Sequence, residues 1–219
     1  MLKILTQLFK SDDFRVQAQD KQKALDYFER VSGDYDGTVS KGILKIPRDR
    51  ERAAVLAMAK LDKPGLSLLD VGCGAGFYSL LAKKAGLVVH SVDASEGMVK
   101  KLQGKVDCAE VADIEKLSLP RQFDRVICAG VLDFVTQPQI AFTNLCRLVS
   151  PGGRLVILCP RKGPGGLFYR IEKHFFGIRI NLFSSEWLSE IAKTQGLELI
   201  EKTHPLPTNM ALLFQSQKN

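Results

Sequence analysis

The sequence predicts an α/β fold in which a largely parallel sheet carries helices on both faces. Its 219 residues, with 45% hydrophobic and 25% charged residues, are typical of a soluble globular domain with a sizeable core. Between residues 66 and 159, short apolar runs alternate with helical patterns, which indicates parallel strands joined by right-handed crossovers. A glycine-rich turn at residues 72–76 follows the first of these runs, and open α/β sheets bind ligands at such turns.

The apolar and helical patterns place the individual elements. Strands are expected near residues 66–71, 88–93, 106–111, 123–129 and 153–159, and helices near 76–85, 95–103 and 137–149. Two last strands are expected at 196–203 and 209–215, joined by a proline-containing turn. Upstream, a helical pattern covers residues 24–31. A second helix is expected from about Pro47, with a buried stripe formed by Ala53, Leu56, Ala57 and Leu61.

Three glycines mark the candidate ligand site, at Gly72, Gly74 and Gly76. A residue without a Cβ permits a sharp strand-to-helix turn and lets a ligand approach the backbone. The helix start also offers unpaired N–H groups to polar or anionic atoms. A dinucleotide fingerprint has a small residue at the next position, where this chain has Phe77, so close packing of a pyrophosphate is not expected.

Two carboxylates narrow the class of ligand that is expected. Asp93 ends the second apolar run, 21 residues after Gly72, which suits a carboxylate that accepts hydrogen bonds from ribose hydroxyls. Asp70 directly precedes the glycines, where it would repel a pyrophosphate and suit a cationic amino acid. The pattern therefore predicts a site for a nucleoside that has no pyrophosphate.

The chain resembles the class I S-adenosylmethionine-dependent methyltransferases from about residue 66 to residue 158. Five segments carry the resemblance in the family's order: 70–76 (Asp-Val-Gly-Cys-Gly-Ala-Gly), 91–95 with Met98, 112–114 (Ala-Asp-Ile), 123–132 and 148–153. An α/β domain with a chance glycine turn would not repeat five motifs in register. The resemblance implies a Rossmann-like seven-stranded sheet in the order 3-2-1-4-5-7-6, with the last strand antiparallel. Within this family, the chain resembles the methyltransferases of quinones, porphyrins and other small molecules.

The same resemblance implies a set of cofactor contacts. Asp70 and the amides of the glycine loop would hold the methionine end, and Asp93 would bind the ribose. Asp113 would accept from the adenine amino group, while the Ile114 amide meets a ring nitrogen. The complete expected set is Asp70, Gly72, Gly74, Gly76, Asp93, Ala94, Met98, Asp113, Ile114 and Ala129.

The segment ahead of the core is expected to form a helical lid, over residues 1–62, before a core at 63–219. Residues 27–36 resemble the segment that covers the cofactor in many of these enzymes, which makes Tyr35 a candidate ligand contact. An aromatic residue that anchors a loop is an equally good interpretation. Residues 1–10 are expected to form a terminal helix that docks on the domain, with a membrane-surface helix as the alternative.

An insertion at about 160–183 is expected to cover the substrate side. It mixes aromatic residues with five cations and one acidic residue. This composition suits a hydrophobic substrate with an anionic group, or an enzyme that works at a membrane surface. An amphipathic helix packed on the sheet edge is the structural alternative.

The candidates for a catalytic base are Asp133, Tyr35, Tyr169 and His174. Metal-dependent quinone O-methyltransferases look similar near residues 130–135 but carry a Glu at the first position and a Glu-His pair where this chain has Asp133-Phe134. Gly130 and Phe134 remove two of those ligands, so no metal is expected. The Asn-Pro-Pro-Tyr motif of nucleobase N-methyltransferases is also missing from the sequence, which makes a nucleic-acid substrate unlikely.

Charge and cysteine usage set broader limits. A net charge of +7 favours acidic partners without proving a nucleic-acid role. The five cysteines show no CxxC spacing, and reduced thiols in a cytoplasmic protein fit best. The leading hypothesis is methyl transfer to oxygen or carbon of a small or lipid-like acceptor. RNA or protein methylation and a non-catalytic cofactor-binding protein are the alternatives, and the oligomeric state stays open.

Overall fold

A computed structural model describes residues 16–32 and 45–217, and seven strands of this part form one sheet. The strands are β1 (Ser67–Val71), β2 (Val88–Asp93), β3 (Cys108–Val111), β4 (Phe123–Ala129), β5 (Val149–Pro160), β6 (Leu197–Leu206) and β7 (Asn209–Ser216). Their order across the sheet is β3-β2-β1-β4-β5-β7-β6. This confirms the strand order implied by the sequence.

The last strand of the chain, β7, is antiparallel to both of its neighbours in the sheet. β1 to β5 pair in parallel, whereas β7 is antiparallel to both β5 and β6. The connection from β6 to β7 is a tight turn at Pro207-Thr208, so the returning strand must run in the opposite direction. β7 lies between β5 and β6 in the sheet, as predicted.

The described helices are α1 (Ala18–Val31), α2 (Lys45–Ala59), α3 (Phe77–Lys84), α4 (Glu96–Leu102), α5 (Pro138–Arg147), α6 (Pro164–Phe175) and α7 (Ser185–Thr194). Side-chain caps fix two of the helix starts. The Ser95 hydroxyl accepts from the Met98 amide at 3.1 Å, and the Ser184 hydroxyl accepts from the Trp187 amide at 3.3 Å.

Two hydrophobic clusters pack on the two faces of the sheet. Neighbouring strand residues alternate between them: Leu68 belongs to one cluster and Leu69 to the other, as do Ile127 and Val126. This period of two is what a sheet covered on both faces requires.

Element boundaries differ from the expectation in two places. β5 begins at Val149, four residues early, and runs through the proline-glycine segment that was expected to be a turn. Its pairing with β4 shifts register between Phe123 and Arg125, because the extra residues of β5 bulge out there. α1 begins at Ala18, six residues before the expected start.

The buried face of α2 was only partly predicted. Ala53 and Ala57 are exposed, whereas Val55, Met58 and Ala59 are fully buried against the sheet. Its second half, residues 53–59, is apolar on all sides, so contacts with the sheet, and not the local pattern, set the rotation of the helix. α2 is thus part of the core packing, and the boundary at residue 62 between lid and core stays a prediction.

Candidate active site

The glycine loop between β1 and α3 is held in place by close packing. Gly72 has φ +70°, and a Cβ there would lie 2.1 Å from Cγ2 of Val131. Gly76 has φ +89°, and its Cβ would lie 2.3 Å from Cδ2 of Leu102. Both positions need a left-handed backbone and have no room for a side chain, which is why the sequence has glycine there.

Asp70 lies beneath this loop and does not line a cavity. Its Oδ2 accepts hydrogen bonds from the Ser79 hydroxyl at 2.6 Å and from the Ser79 amide at 3.1 Å. Burial raises the pKa of Asp70 to about 6, although the hydrogen bonds from Ser79 oppose that shift. The carboxylate thus ties the end of β1 to the first turn of α3.

Asp93 stands at the carboxyl end of β2, beside the loop. Its Oδ2 accepts from the Gly74 amide at 2.9 Å, and its Oδ1 accepts from the Ser95 amide at 2.9 Å. Burial raises the pKa of Asp93, and these amide hydrogen bonds partly offset the rise. The carboxylate is therefore fixed in orientation at the mouth of the crevice.

Two cavities meet at the glycine loop in the described part of the chain. The small cavity, of about 140 Å³, lies on the β2 and β3 side, and the large cavity, of about 560 Å³, lies on the β5 side. Among the residues predicted from the sequence, the small cavity is lined by Gly72, Gly74, Asp93, Ala94, Met98, Asp113, Ile114 and Ala129. Gly72, Gly74 and Ala129 also line the large cavity, together with Asp133 and Tyr169.

Three predicted site residues of the described part do not line these cavities. Asp70 lies beneath the glycine loop, Gly76 packs against Leu102, and His174 is exposed on α6. Tyr35 lies outside the described residues, as do residues 1–10. The roles given to the remaining residues stay predictions at this point.

α1 closes one wall of the small cavity. Lys21 Nζ lies 2.8 and 2.7 Å from the two carboxylate oxygens of Asp113, and it also pairs with Glu115. At the other end of the helix, Glu29 accepts hydrogen bonds from the Ser95 hydroxyl and the Gly97 amide. These contacts place α1 across the segments that follow β2 and β3.

The large cavity contains a buried carboxylate, one oxygen of which has no hydrogen-bond partner among the described residues. Asp133 lies in a short 3₁₀ turn after β4, and its Oδ1 has no partner among the described residues. Burial raises the pKa of Asp133 to about 7. Tyr169 of α6 lines the same cavity, and burial together with the nearby Asp133 raises the pKa of its hydroxyl.

α2 contributes charged groups to the large cavity, through Arg48, Glu51 and Arg52. The Arg52 guanidinium lies 3.8 Å from the centroid of the Phe77 ring, directly after the glycine loop. Glu51 accepts a hydrogen bond from the Asn209 side chain, and burial raises its pKa. The spacing i, i+3 and i+4 puts all three groups on one side of the helix.

Residues 69–157 match the family described as a methyltransferase domain. The chain is similar to this family over that segment and is a methyltransferase. The methyltransferase uses S-adenosylmethionine as its methyl donor.

Two relatives illustrate the similarity in sequence. The methyltransferase is 28% identical over 168 residues to a ubiquinone biosynthesis O-methyltransferase of Coxiella burnetii, which covers 68% of this chain and 72% of that protein. It is 32% identical over 116 residues to the protein of the same name from Dechloromonas aromatica, covering 49% of this chain and 50% of that one.

A solved structure shows the same fold. The magnesium protoporphyrin IX methyltransferase of Synechocystis, crystallised with bound SAH, superposes with a TM-score of 0.72. The superposition covers 90% of the methyltransferase and 100% of that chain, at 22% sequence identity.

Other features of the methyltransferase lie away from the cavities. His90 is buried and its Nε2 lies 3.0 Å from Glu110, with Cys108 close by on β3. Among the helices that the structure describes, none has the length and apolar character to cross a bilayer. The cytoplasmic location stays a prediction.

Sequence reasoning missed Lys21 and Glu51, which line the cavities, and Glu29, which holds α1 to the segment after β2. Lys21 and Glu29 belong to a polar helix whose pattern resembles a solvated surface. Glu51 stands among arginines in a charged stretch that also resembles a solvated helix start. Its i+3 spacing from Arg48 was the one available signal.

Proposed function

We propose that the methyltransferase transfers a methyl group to an oxygen atom of a small, aromatic or lipid-like acceptor held in the large cavity. The observation that carries the proposal is Asp133. It is a buried carboxylate with a pKa of about 7 and an unpartnered oxygen, in a cavity that shares Gly72, Gly74 and Ala129 with the small cavity. A group of this kind is suited to take a proton at neutral pH.

The residues around the small cavity fit the adenosine part of S-adenosylmethionine. Asp93 offers a fixed carboxylate to the ribose hydroxyls. Asp113 offers an acceptor to the adenine amino group, and the Ile114 amide offers a donor to a ring nitrogen. Met98 and Ala94 form apolar walls for the ring. When bound, the cofactor supplies an electrophilic methyl group.

The methionine end is assigned to the boundary between the two cavities. Backbone groups of Gly72, Gly74 and Ala129 face both cavities there. Arg52, held over the Phe77 ring at this boundary, provides a cation for the carboxylate of the amino acid. We assign Asp70 to positioning the loop, because both of its hydrogen bonds go to Ser79.

Asp133 is assigned as the general base. Oδ1 accepts the proton of an acceptor hydroxyl while the oxygen of that hydroxyl forms its new bond to carbon. The chain must hold the attacking oxygen about 3 Å from the methyl carbon, in line with the leaving sulfur. Tyr169 faces the same space and can orient the acceptor through its hydroxyl.

The lining of the large cavity favours an aromatic acceptor. The charged residues of this lining include three cations and three acids, namely Arg48, Arg52, Lys173, Glu51, Asp133 and Glu172. Aromatic rings line much of the wall: Tyr27, Phe28, Phe77, Phe134, Tyr169 and Phe176. Arg48 and Lys173 provide cations on the same wall. The relatives that are named for O-methylation in ubiquinone biosynthesis support oxygen as the methylated atom. Gly130 and Phe134 offer no side-chain ligand to a metal at this wall, so the proton transfer is assigned to Asp133 alone.

Labelled S-adenosylmethionine tests the proposal. The purified protein is incubated with the labelled cofactor and, in parallel, with a lipid extract, with total RNA and with a protein extract. We expect label in the lipid extract or in added hydroxyaryl carboxylates, and none in RNA or protein. Label in RNA or protein alone would overturn the acceptor class. Binding of the cofactor with no transfer to any acceptor would overturn the enzymatic proposal.

A further inference from the structure

α6 and the residue after it present a row of exposed apolar side chains. Phe168 is 68% exposed, Ile171 46%, Phe175 84% and Phe176 72%. Residues 168, 171 and 175 follow the spacing i, i+3 and i+7, which places them on one face of the helix. We name these four residues the α6 stripe. Four large apolar side chains exposed within nine residues are unusual for a surface that faces only water.

The other side of the same helix borders the large cavity. Tyr169, Glu172 and Lys173 line that cavity, and Arg170 is buried. Phe176 belongs to both surfaces, since it lines the cavity and is also largely exposed. The α6 stripe therefore runs along the edge of the cavity mouth and is continuous with it.

The charge around the α6 stripe is strongly positive. Residues 160–183 contain five cations and one acidic residue, and the whole chain carries a net charge of +7. The acidic residue, Glu172, lines the cavity. Among the cations, Arg170 is buried and Lys173 lines the cavity, whereas Arg179, which follows α6, is half exposed with its Nε 4.0 Å from Asp20. An apolar face bordered by cations is the composition of a helix that lies in the headgroup region of a membrane.

We propose that the α6 stripe docks on an anionic phospholipid bilayer. The phenylalanine and isoleucine side chains enter the boundary between headgroups and acyl chains, and the cations contact lipid phosphates. A second copy of this chain fits less well, because a symmetric contact would bring two equally positive surfaces together. The further consequence, that an apolar acceptor passes from the bilayer into the large cavity beside Phe176, rests on the proposed function.

Vesicle flotation with the full chain tests the proposal. Vesicles of phosphatidylcholine with a third phosphatidylglycerol are compared with vesicles of phosphatidylcholine alone. We expect flotation with the anionic vesicles only, and a loss of binding as salt is raised. The double variant Phe168→Ser/Phe175→Ser is expected to weaken binding about tenfold or more, because two exposed rings no longer enter the lipid.

Ile171→Ser and Ile140→Ser form a matched pair. Both are helical isoleucines of similar exposure, 46% and 44%, but Ile140 lies in α5, outside the stripe. We expect a reduction of vesicle binding for Ile171→Ser and none for Ile140→Ser. Equal effects of the two substitutions, or equal flotation of the native chain with both vesicle types, would overturn the proposal.

Two further measurements separate this proposal from the proposed function. Light scattering after size exclusion reports the oligomeric state, and a dimer that Phe168→Ser/Phe175→Ser dissociates would assign the stripe to a second copy instead. Titration with S-adenosylhomocysteine is expected to give the native affinity for this double variant, because neither residue lines a cavity. Vesicle binding is measured without cofactor, so it stands or fails independently of methyl transfer.

Discussion

The small and the large cavity share a wall, but the acidic side chains that line them differ in their hydrogen-bond partners. In the small cavity, Asp93 accepts two amide hydrogen bonds and Asp113 is paired with Lys21. In the large cavity, the Oδ1 atom of Asp133 is buried and has no partner among the described residues. This contrast agrees with the proposed roles, in which paired groups are fixed in orientation for binding and an unpaired oxygen is available for proton transfer.

This difference has opposite consequences for stability. Hydrogen bonds to the Asp93 carboxylate favour its charged form and hold the loop. The Asp133 carboxylate loses solvation on burial and its Oδ1 gains no hydrogen bond in return, so its charged form destabilises the folded state at neutral pH. Sites that carry out reactions commonly retain such destabilising groups. Four predictions test the contrast between the cavities.

The largest expected effect is on methyl transfer in Asp133→Asn. Removal of a general base is expected to slow transfer by about 10²–10⁴-fold, whereas the affinity for S-adenosylhomocysteine stays native. In the native protein the rate is expected to fall as pH drops through about 7, because Asp133 becomes protonated. Initial rates across pH, with Asp62→Asn at an exposed site as the control, provide the measurement. A pH-independent rate between 6 and 8 would contradict this assignment.

Asp93→Ala is expected to act on binding instead. Loss of two hydrogen bonds to the ribose should weaken the affinity for S-adenosylhomocysteine by about 2–4 kcal/mol. Calorimetry measures this, and Glu110→Ala serves as the control because Glu110 is a carboxylate on the adjacent strand that lines neither cavity. An unchanged affinity in a folded Asp93→Ala protein would refute the ribose assignment.

The same Asp133→Asn substitution is expected to stabilise the fold at pH 8 by about 1–3 kcal/mol. Because its folded pKa is raised to about 7, the folded state holds this proton more tightly than the unfolded state does. Stability contributed by the protonated group is thus lost as pH rises from about 4 to about 7. Urea unfolding at pH 8 and pH 4 should show the gain at pH 8 only. Asp70 shifts in the same direction but is present in both proteins and cancels.

The smallest effect is expected for Lys21→Ala. Loss of the partly buried ion pairs to Asp113 and Glu115 should loosen α1 and weaken cofactor affinity by about 0.5–1.5 kcal/mol. Lys83→Ala is the matched control, since Lys83 pairs with Asp107 at 2.7 Å but lines neither cavity. Equal affinities of the two variants would show that α1 does not contribute to holding the ligand.

Sequence alone predicted the parts of this site that depend on local backbone geometry. Gly72 and Gly76 require a left-handed backbone and have no room for a Cβ, so the residue type itself reports the turn. Asp93 ends a strand, and the carboxyl ends of parallel strands meet at one edge of the sheet, so its position beside the glycine turn was also predictable. The strand order was implied by the family resemblance, whereas the tight final hairpin dictates only that β7 runs antiparallel to β6.

Only the tertiary structure decided which side chains face one another. Asp70 was expected to contact the ligand, but its carboxylate accepts a hydrogen bond from Ser79 beneath the loop. Lys21 and Glu51 looked like solvated charges, yet packing of α1 and α2 turns them toward the two cavities. Burial and pairing are properties of residues distant in sequence, so no local pattern records them. The sequence determined where the crevice forms. The packing of the helices around it decided which of its charged groups are paired and which buried carboxylate oxygen has no partner among the described residues.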